Sequence, residues 1–219
     1  MDLRLHRHGR FRRWLGARLG GDEALGDRAW RRILHGFGVA ALVYYAIPND
    51  LFVVAPKWGV LLALLAAVLL LEGLRHAVGL QLPTIRPYEA RRIGSFALYS
   101  VALVAALLLF PEPIGAAVIL GTAVVDPVAG ELRASPTRRR LGPGLPFALY
   151  AGLAFVGLAV VGGWPLGPSV ALALLAAALG VAVEGPTVRW GDDDLAMILV
   201  PAVALWLVAG PLLGLAAFP

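Results

Sequence analysis

The sequence lacks cysteine entirely and contains a single lysine, Lys57, among its 219 residues. Without cysteine the chain has no disulfide, no thiolate zinc site and no cysteine nucleophile. Charged residues are also scarce, at 15% of the chain, whereas 59% of the residues are hydrophobic. Soluble domains contain about 25% charged residues, so the composition excludes an ordinary soluble protein.

The hydrophobic residues fall into seven runs that are each near the length of about 20 residues needed to cross a bilayer. Proline and glycine clusters separate these runs, and no alternation of apolar and polar residues suggests a membrane barrel. The pattern therefore predicts an all-α, polytopic helical bundle formed by a single domain over residues 30–219. The predicted spans are 30–47, 58–79, 93–110, 114–132, 146–161, 168–183 and 195–218.

The arginines predict the orientation of this bundle. Of the 19 basic residues, 18 fall in the N-terminal segment or in alternate connections, and only Lys57 falls on the other side. The positive-inside rule then predicts a cytoplasmic N-terminus and a multi-pass protein of the cytoplasmic membrane. The net charge of +5 accordingly indicates an arginine-rich cytoplasmic face and no nucleic-acid partner.

Residues 1–29 form a separate basic segment ahead of the first predicted span. Phe11, Trp14, Leu15 and Leu19 recur at helical spacing among arginines, which favours an amphipathic helix on the anionic lipids of the inner leaflet. A solvated basic tail explains the same composition equally well.

Ionisable residues in or beside the spans form the main candidates for a functional site, because each is costly in hydrocarbon. By the predicted topology they all lie toward the cytoplasmic face. Asp126, which stands inside span four beside Pro127, is the strongest functional candidate. Glu72 and Arg75 are explained equally well as an ion pair, whereas the three consecutive aspartates before span seven, taken alone, are better explained as a helix cap. The candidates are His35, Glu72, Asp126, Glu131, Glu184, Asp192, Asp193 and Asp194.

Carboxylates facing an arginine-rich rim suit magnesium-assisted chemistry on phosphates. Carboxylate oxygens are ligands for Mg²⁺, and arginine neutralises phosphate charge. The sequence has no G-x-x-x-x-G-K-[ST] loop and no lysine in a predicted cytoplasmic segment. Any nucleotide is therefore expected to bind without a P-loop.

Four ordered stretches resemble the CTP-dependent lipid kinases, the family that includes dolichol kinase, phytol kinase and the yeast-type diacylglycerol kinase. The stretch at 91–113 is an arginine-led helix that ends in Phe-Pro. The stretch at 183–201 combines a glutamate with an aspartate run and is the most specific of the four. Asp194 stands where this family has asparagine. The stretches are RRILHGFG at 31–38, RRIGSFALYSVALVAALLLFPEP at 91–113, VVDPVAGELR at 124–133 and VEGPTVRWGDDDLAMILVP at 183–201.

The resemblance implies phosphoryl transfer from CTP to the hydroxyl of a membrane lipid alcohol, such as a polyprenol, a dolichol-like lipid or diacylglycerol, with Mg²⁺ as cofactor. It implies catalytic roles for His35, Asp126 and Glu184. The metal ligands would be Asp126, Asp192 and Asp193. The residues implied to bind the phosphates of the nucleotide are Arg31, Arg32, Arg133, Arg138, Arg139 and Arg140.

Two other functions remain open at this stage. A phosphatidate cytidylyltransferase would share the lipid, the nucleotide and the acidic site, although its Lys-Asp and His-Gly-Gly elements are absent. A small transporter or lipid-binding bundle would use buried acids along a cation path. The oligomeric state is open too, because the small pair Ala117 and Gly121 suits internal packing as well as association.

Overall fold

A computed structural model describes residues 36–49, 56–79, 92–134, 142–184 and 193–213, and all regular secondary structure in these ranges is helical. The prediction of an all-α bundle is confirmed. A turn at Leu42 interrupts α1, and α5 continues as a π-helical segment, Val156–Val161. The helices are α1 (Gly36–Ala46), α2 (Lys57–Val78), α3 (Ser95–Leu109), α4 (Glu112–Ala134), α5 (Gly144–Phe155), α6 (Leu166–Val183) and α7 (Asp193–Leu213).

Five of these helical elements are long and apolar enough to cross a membrane: α2, α4, α5 with its π-helical extension, α6 and α7. The chain is therefore a helical membrane protein with five candidate spans among the described residues. The helices α1 and α3 are apolar but shorter. The 15 residues of α3 rise about 22 Å, less than the hydrocarbon thickness of about 30 Å.

The observed ends of the helices follow the predicted spans within a few residues where both are described. Gly79, at the end of predicted span two, is the C-cap of α2: its φ is 64° and its N–H donates to the carbonyl of Arg75. Glycine adopts this left-handed conformation without a steric penalty, so it ends the helix. The beginning of predicted span one and residues 214–218 of span seven lie outside the described residues.

The helix α4 lies at the centre of the bundle, and α2 lies at its edge. In the apolar window of α4, 61% of the residues are buried inside the protein, compared with 6% for α2. The helix α4 contacts α3, α5, α6 and α7, whereas α2 packs mainly against α3. Exposed leucines such as Leu64, Leu70 and Leu74 give α2 an outer surface suited to lipid.

Small residues allow the central helices to approach closely. A Cβ added to Gly157, in the π-helical segment, would lie 2.5 Å from the backbone nitrogen of Ala117 in α4. A Cβ added to Gly121, one turn further along α4, would lie 2.6 Å from the ring of Tyr150. The Ala117 and Gly121 pair therefore serves packing within the chain.

Candidate functional site

The ion pairs Glu72–Arg75 and Arg133–Glu184 lie at the same end of the bundle, which we call the charged end. It comprises the start of α1, α3 and α7 and the end of α2, α4 and α6. The contacts that define it join Glu72 and Arg75 of α2 to residues 92–94 before α3, and Arg133 of α4 to Glu184 after α6. The opposite end carries Lys57, whose Nζ donates to the carbonyl of Ile47 at 3.0 Å.

Glu72 and Arg75 form a buried ion pair at the charged end. Arg75 donates from Nε to Glu72 Oε2 at 2.7 Å and from Nη2 to Oε1 at 2.6 Å. The two residues are only 4% and 3% exposed. The bidentate geometry compensates for the removal of both charges from water, which is otherwise expensive. The ion-pair interpretation of these residues is therefore confirmed.

The same pair ties the end of α2 to the segment that starts α3. The backbone N–H of Gly94 donates to Glu72 Oε1 at 2.7 Å, and Arg75 Nη2 donates to the carbonyl of Arg92 at 2.5 Å. His76, which is partly exposed, places Nε2 3.2 Å from Glu72 Oε1. The Glu72 cluster, meaning Glu72, Arg75, His76 and the backbone of Arg92 and Gly94, thus joins two helices through a balanced set of charges.

A second group of polar residues comprises Tyr99 of α3 and two acids from other helices. Asp126 of α4 and Asp194 of α7 both lie within electrostatic range of the Tyr99 hydroxyl. Tyr99 is 9% exposed, so the three helices meet around a largely buried phenol. We call Tyr99, Asp126 and Asp194 the Asp126 cluster. Its two carboxylates come from different helices and carry charges of the same sign.

Gly38 explains how α1 approaches this cluster. It is buried, while its neighbours Phe37 and Val39 are exposed. A Cβ at this position would overlap the hydroxyl of Tyr99 and would lie 3.4 Å from the Cβ of Ala123 in α4. Glycine is therefore required where α1 passes over the phenol and the α4 turn that precedes Asp126.

The aspartate run begins α7. Asp193 is the first residue of this helix, and both Asp193 and Asp194 lie in its first turn, where carboxylates are favoured by the helix dipole. Asp194, and not Asp193, is the residue whose charge acts on Tyr99 together with Asp126. Successive helical residues point about 100° apart, so the two neighbours differ in what they approach.

The carboxylate oxygens of the acids at the charged end are donor atoms of the kind that Mg²⁺ prefers. No group of three or more histidine, cysteine or acidic residues is arranged to hold a metal within the described ranges. Mg²⁺ is commonly held by one or two carboxylates plus water and substrate phosphates, a requirement that Asp126 and Asp194 meet in number and type. The predicted set of Asp126, Asp192 and Asp193 stays a prediction, since Asp192 lies outside the described residues.

Glu184 and Arg133, which were predicted to act separately, form an ion pair with each other. Glu184 is the C-cap of α6, with extended backbone angles, and Arg133 lies in the last turn of α4. The Glu184 side chain is 8% exposed and that of Arg133 is 45% exposed. The pair therefore joins the end of α4 to the end of α6, with the glutamate largely buried and the guanidinium at the surface.

Several predicted site residues lie outside the described part of the chain, and their predicted roles are untested. They are Arg31, Arg32, His35, Arg138, Arg139, Arg140 and Asp192.

Sequence reasoning did not identify Tyr99, Gly38 or the particular role of Asp194. A signal for Tyr99 exists, because a phenol in an otherwise apolar helix needs a polar partner when it is buried. Nothing in the sequence indicates that Gly38 lies beside that phenol, since the contact joins α1 to α3.

The chain was also compared with protein-family models, with curated proteins and with solved structures, and none of them matches.

Proposed function

We propose that this protein is a multi-pass enzyme of the cytoplasmic membrane that transfers the terminal phosphoryl group of CTP to the hydroxyl of a membrane lipid alcohol, with Mg²⁺ as cofactor. The observation that carries the proposal is that Asp126 and Asp194, from two helices, both act electrostatically on one buried hydroxyl at the charged end. The acceptor is a lipid of the polyprenol, dolichol or diacylglycerol class.

In this proposal the chain crosses the membrane seven times and its N-terminus is cytoplasmic. The charged end contains the starts of α1, α3 and α7 and the ends of α2, α4 and α6, so successive helices run in opposite directions. This alternation supports α1 and α3 as short spans in addition to the five long ones. The arginine distribution supports a cytoplasmic charged end, accessible to nucleotide.

Asp126 and Asp194 are the proposed ligands of Mg²⁺, with Asp192 and Asp193 predicted from the sequence beside them. Mg²⁺, when bound, neutralises the charge on the phosphates of the nucleotide. The remaining phosphate charge is assigned to the arginines at positions 31, 32 and 138–140, which present planar guanidinium groups suited to phosphate. His35 is assigned to the same phosphates.

Glu184 is the proposed acceptor of the proton from the lipid hydroxyl. Its carboxylate forms an ion pair with Arg133, which fixes its position at the charged end. The hydroxyl oxygen attacks the γ-phosphorus, the bond from that phosphorus to the β–γ bridging oxygen breaks, and CDP leaves. The proton of the hydroxyl passes to Glu184, so the products are a lipid phosphate and CDP.

The test is transfer of label from γ-labelled CTP, in the presence of Mg²⁺, to a panel of lipid alcohols with the full chain in nanodiscs. Asp126→Asn is expected to lower transfer by about 100-fold or more, within the range for removal of a catalytic group. Glu112→Gln is the matched control, because Glu112 lies in the first turn of the same helix at the opposite end.

Product analysis separates this reaction from its nearest alternative. A kinase releases CDP, whereas a cytidylyltransferase releases pyrophosphate and leaves no γ-label in the lipid. Failure of CTP, ATP and GTP to label any lipid in the panel would exclude the proposed kinase activity.

A further inference from the structure

A proline in α7 creates a polar group in the middle of the bundle that the helix itself cannot satisfy. Pro201 lies inside α7 and has no N–H, so the carbonyl of Met197, four residues earlier, has no helical donor. Met197 and Pro201 are both buried. An unsatisfied carbonyl in apolar surroundings costs several kcal/mol, and a partner from another helix is therefore needed.

Two hydroxyls from other helices supply that partner. Thr122 of α4 donates from Oγ1 to the carbonyl of Met197 at 3.1 Å, and Tyr150 of α5 donates from Oη to the same oxygen at 3.0 Å. Both side chains are completely buried. A carbonyl oxygen has two lone pairs, so two donors satisfy it fully. We call Thr122, Tyr150 and the Met197 carbonyl the α7 clamp.

The ring of Tyr150 is fixed by two glycines on either side of it. A Cβ at Gly121 of α4 or at Gly180 of α6 would each lie 2.6 Å from a ring carbon. The ring thus packs between Gly121 and Gly180, where a larger side chain at either position would overlap it. Through Tyr150 the clamp joins α4, α5, α6 and α7 at one point.

The clamp lies one helical turn from the acids of the Asp126 cluster, deeper in the bundle. Thr122 precedes Asp126 by four residues in α4, and Met197 follows Asp194 by three residues in α7. Residues at these spacings share a helix face. The hydrogen bond from Thr122 to Met197 therefore joins the same two helix faces that present Asp126 and Asp194, one turn deeper in the bundle.

We infer that Thr122 and Tyr150 are positioning residues that set the separation of Asp126 and Asp194. The consequence for catalysis rests on the proposed function: an acid pair at the correct separation binds the magnesium nucleotide. Loss of either hydroxyl leaves the Met197 carbonyl with one donor, and α7 is no longer held at a single distance from α4. The Michaelis constant for magnesium CTP is then expected to rise more than the turnover number falls.

Conservative variants test this without disrupting the core. Tyr150→Phe keeps the ring between the two glycines, and Thr122→Val keeps the shape, but each removes one donor. We expect each variant to raise KM for magnesium CTP by about tenfold, which corresponds to the loss of one buried hydrogen bond. The turnover number kcat is expected to change less. Thr122→Ser, which keeps the hydroxyl, is expected to restore the original KM.

The matched control is Ser169→Ala. Ser169 is also completely buried, and its hydroxyl also donates to a backbone carbonyl, that of Trp164, but at the start of α6 and so at the opposite end. This variant is expected to leave KM and kcat unchanged.

A second measurement does not depend on catalysis. Because the chain has no cysteine, the double variant Asp126→Cys with Asp194→Cys can be crosslinked at a single pair of thiols by a short bifunctional reagent. Adding Tyr150→Phe or Thr122→Val is expected to lower the crosslinking rate, and adding Ser169→Ala is expected to leave it unchanged. An unaltered rate in both clamp variants would overturn the inference, whatever the activity. A lowered crosslinking rate, together with no transfer activity in the protein that retains Asp126 and Asp194, would support the clamp and contradict the proposed function.

Discussion

The two acid clusters of the charged end differ in where their members come from. Glu72 is neutralised within one turn by Arg75 of its own helix, and backbone groups before α3 complete the set. Asp126 and Asp194 instead come from two helices and bring like charges to one phenol. The Glu72 cluster joins two neighbouring helices, whereas the Asp126 cluster brings together two carboxylates of the type that bind Mg²⁺. We therefore assign a structural role to the Glu72 cluster, and the proposed function gives the Asp126 cluster the role of binding the metal.

The largest effect is expected from breaking the Glu72 cluster. Glu72→Leu leaves the buried guanidinium of Arg75 without its carboxylate, and the expected loss of stability is about 3–5 kcal/mol. Thermal unfolding of the protein in detergent measures this loss. The double variant Glu72→Leu with Arg75→Leu should recover part of the lost stability, because no buried charge remains. The recovery is incomplete because the backbone groups of Arg92 and Gly94 lose their partners. A stable single variant would contradict the structural role.

The Asp126 cluster should respond mainly through activity. Asp126→Asn keeps the shape of the side chain but replaces a proposed metal ligand, so phosphoryl transfer is expected to be lost while the unfolding midpoint falls less than in Glu72→Leu. The same unfolding measurement beside the transfer assay separates the two effects. A fall in stability comparable to that of Glu72→Leu would show that Asp126 is also a structural acid.

A smaller effect tests the contact between Gly38 and Tyr99. Gly38→Ala places a methyl group against the phenol hydroxyl, and overpacking of this kind costs about 1–3 kcal/mol. Tyr99→Phe removes that hydroxyl, so the combination with Gly38→Ala is expected to regain part of the lost stability. A double-mutant cycle on the unfolding midpoint measures this coupling. Strict additivity of the two changes would mean that Gly38 does not lie against the hydroxyl.

The smallest effect is expected at His76. It lies 3.2 Å from Glu72, but Arg75 already binds both oxygens of that carboxylate. His76→Ala should therefore change stability by less than about 1 kcal/mol, as for other partly exposed ion pairs, and should leave transfer unchanged. A loss of transfer with retained stability would show that the Glu72 cluster belongs to the functional site.

The sequence predicts features that depend on one segment at a time. Predicted span two, 58–79, differs by one residue at each end from α2, because hydropathy and Gly79 determine both ends. The pairing of Glu72 with Arg75 follows from a spacing of three residues in a helix. These features need no knowledge of how helices are arranged.

Contacts between helices could not be predicted in this way. Which aspartate of the run acts on Tyr99 together with Asp126 depends on the rotation of α7 about its axis. This rotation is held by the α7 clamp of Thr122, Tyr150 and the Met197 carbonyl. The pairing of Arg133 with Glu184 joins residues 51 positions apart. Apolar spans of Ala, Leu and Val carry too little information to specify such packing.

The most direct test compares the two adjacent aspartates that begin α7. With the full chain in nanodiscs, γ-labelled CTP and Mg²⁺, we predict that Asp194→Asn lowers transfer to the lipid alcohol as strongly as Asp126→Asn, and that Asp193→Asn lowers it much less. The resemblance to lipid kinases, which have asparagine at the position of Asp194, predicts the opposite order. Full transfer by Asp194→Asn would contradict the account of an active site formed by Asp126 and Asp194 around Tyr99.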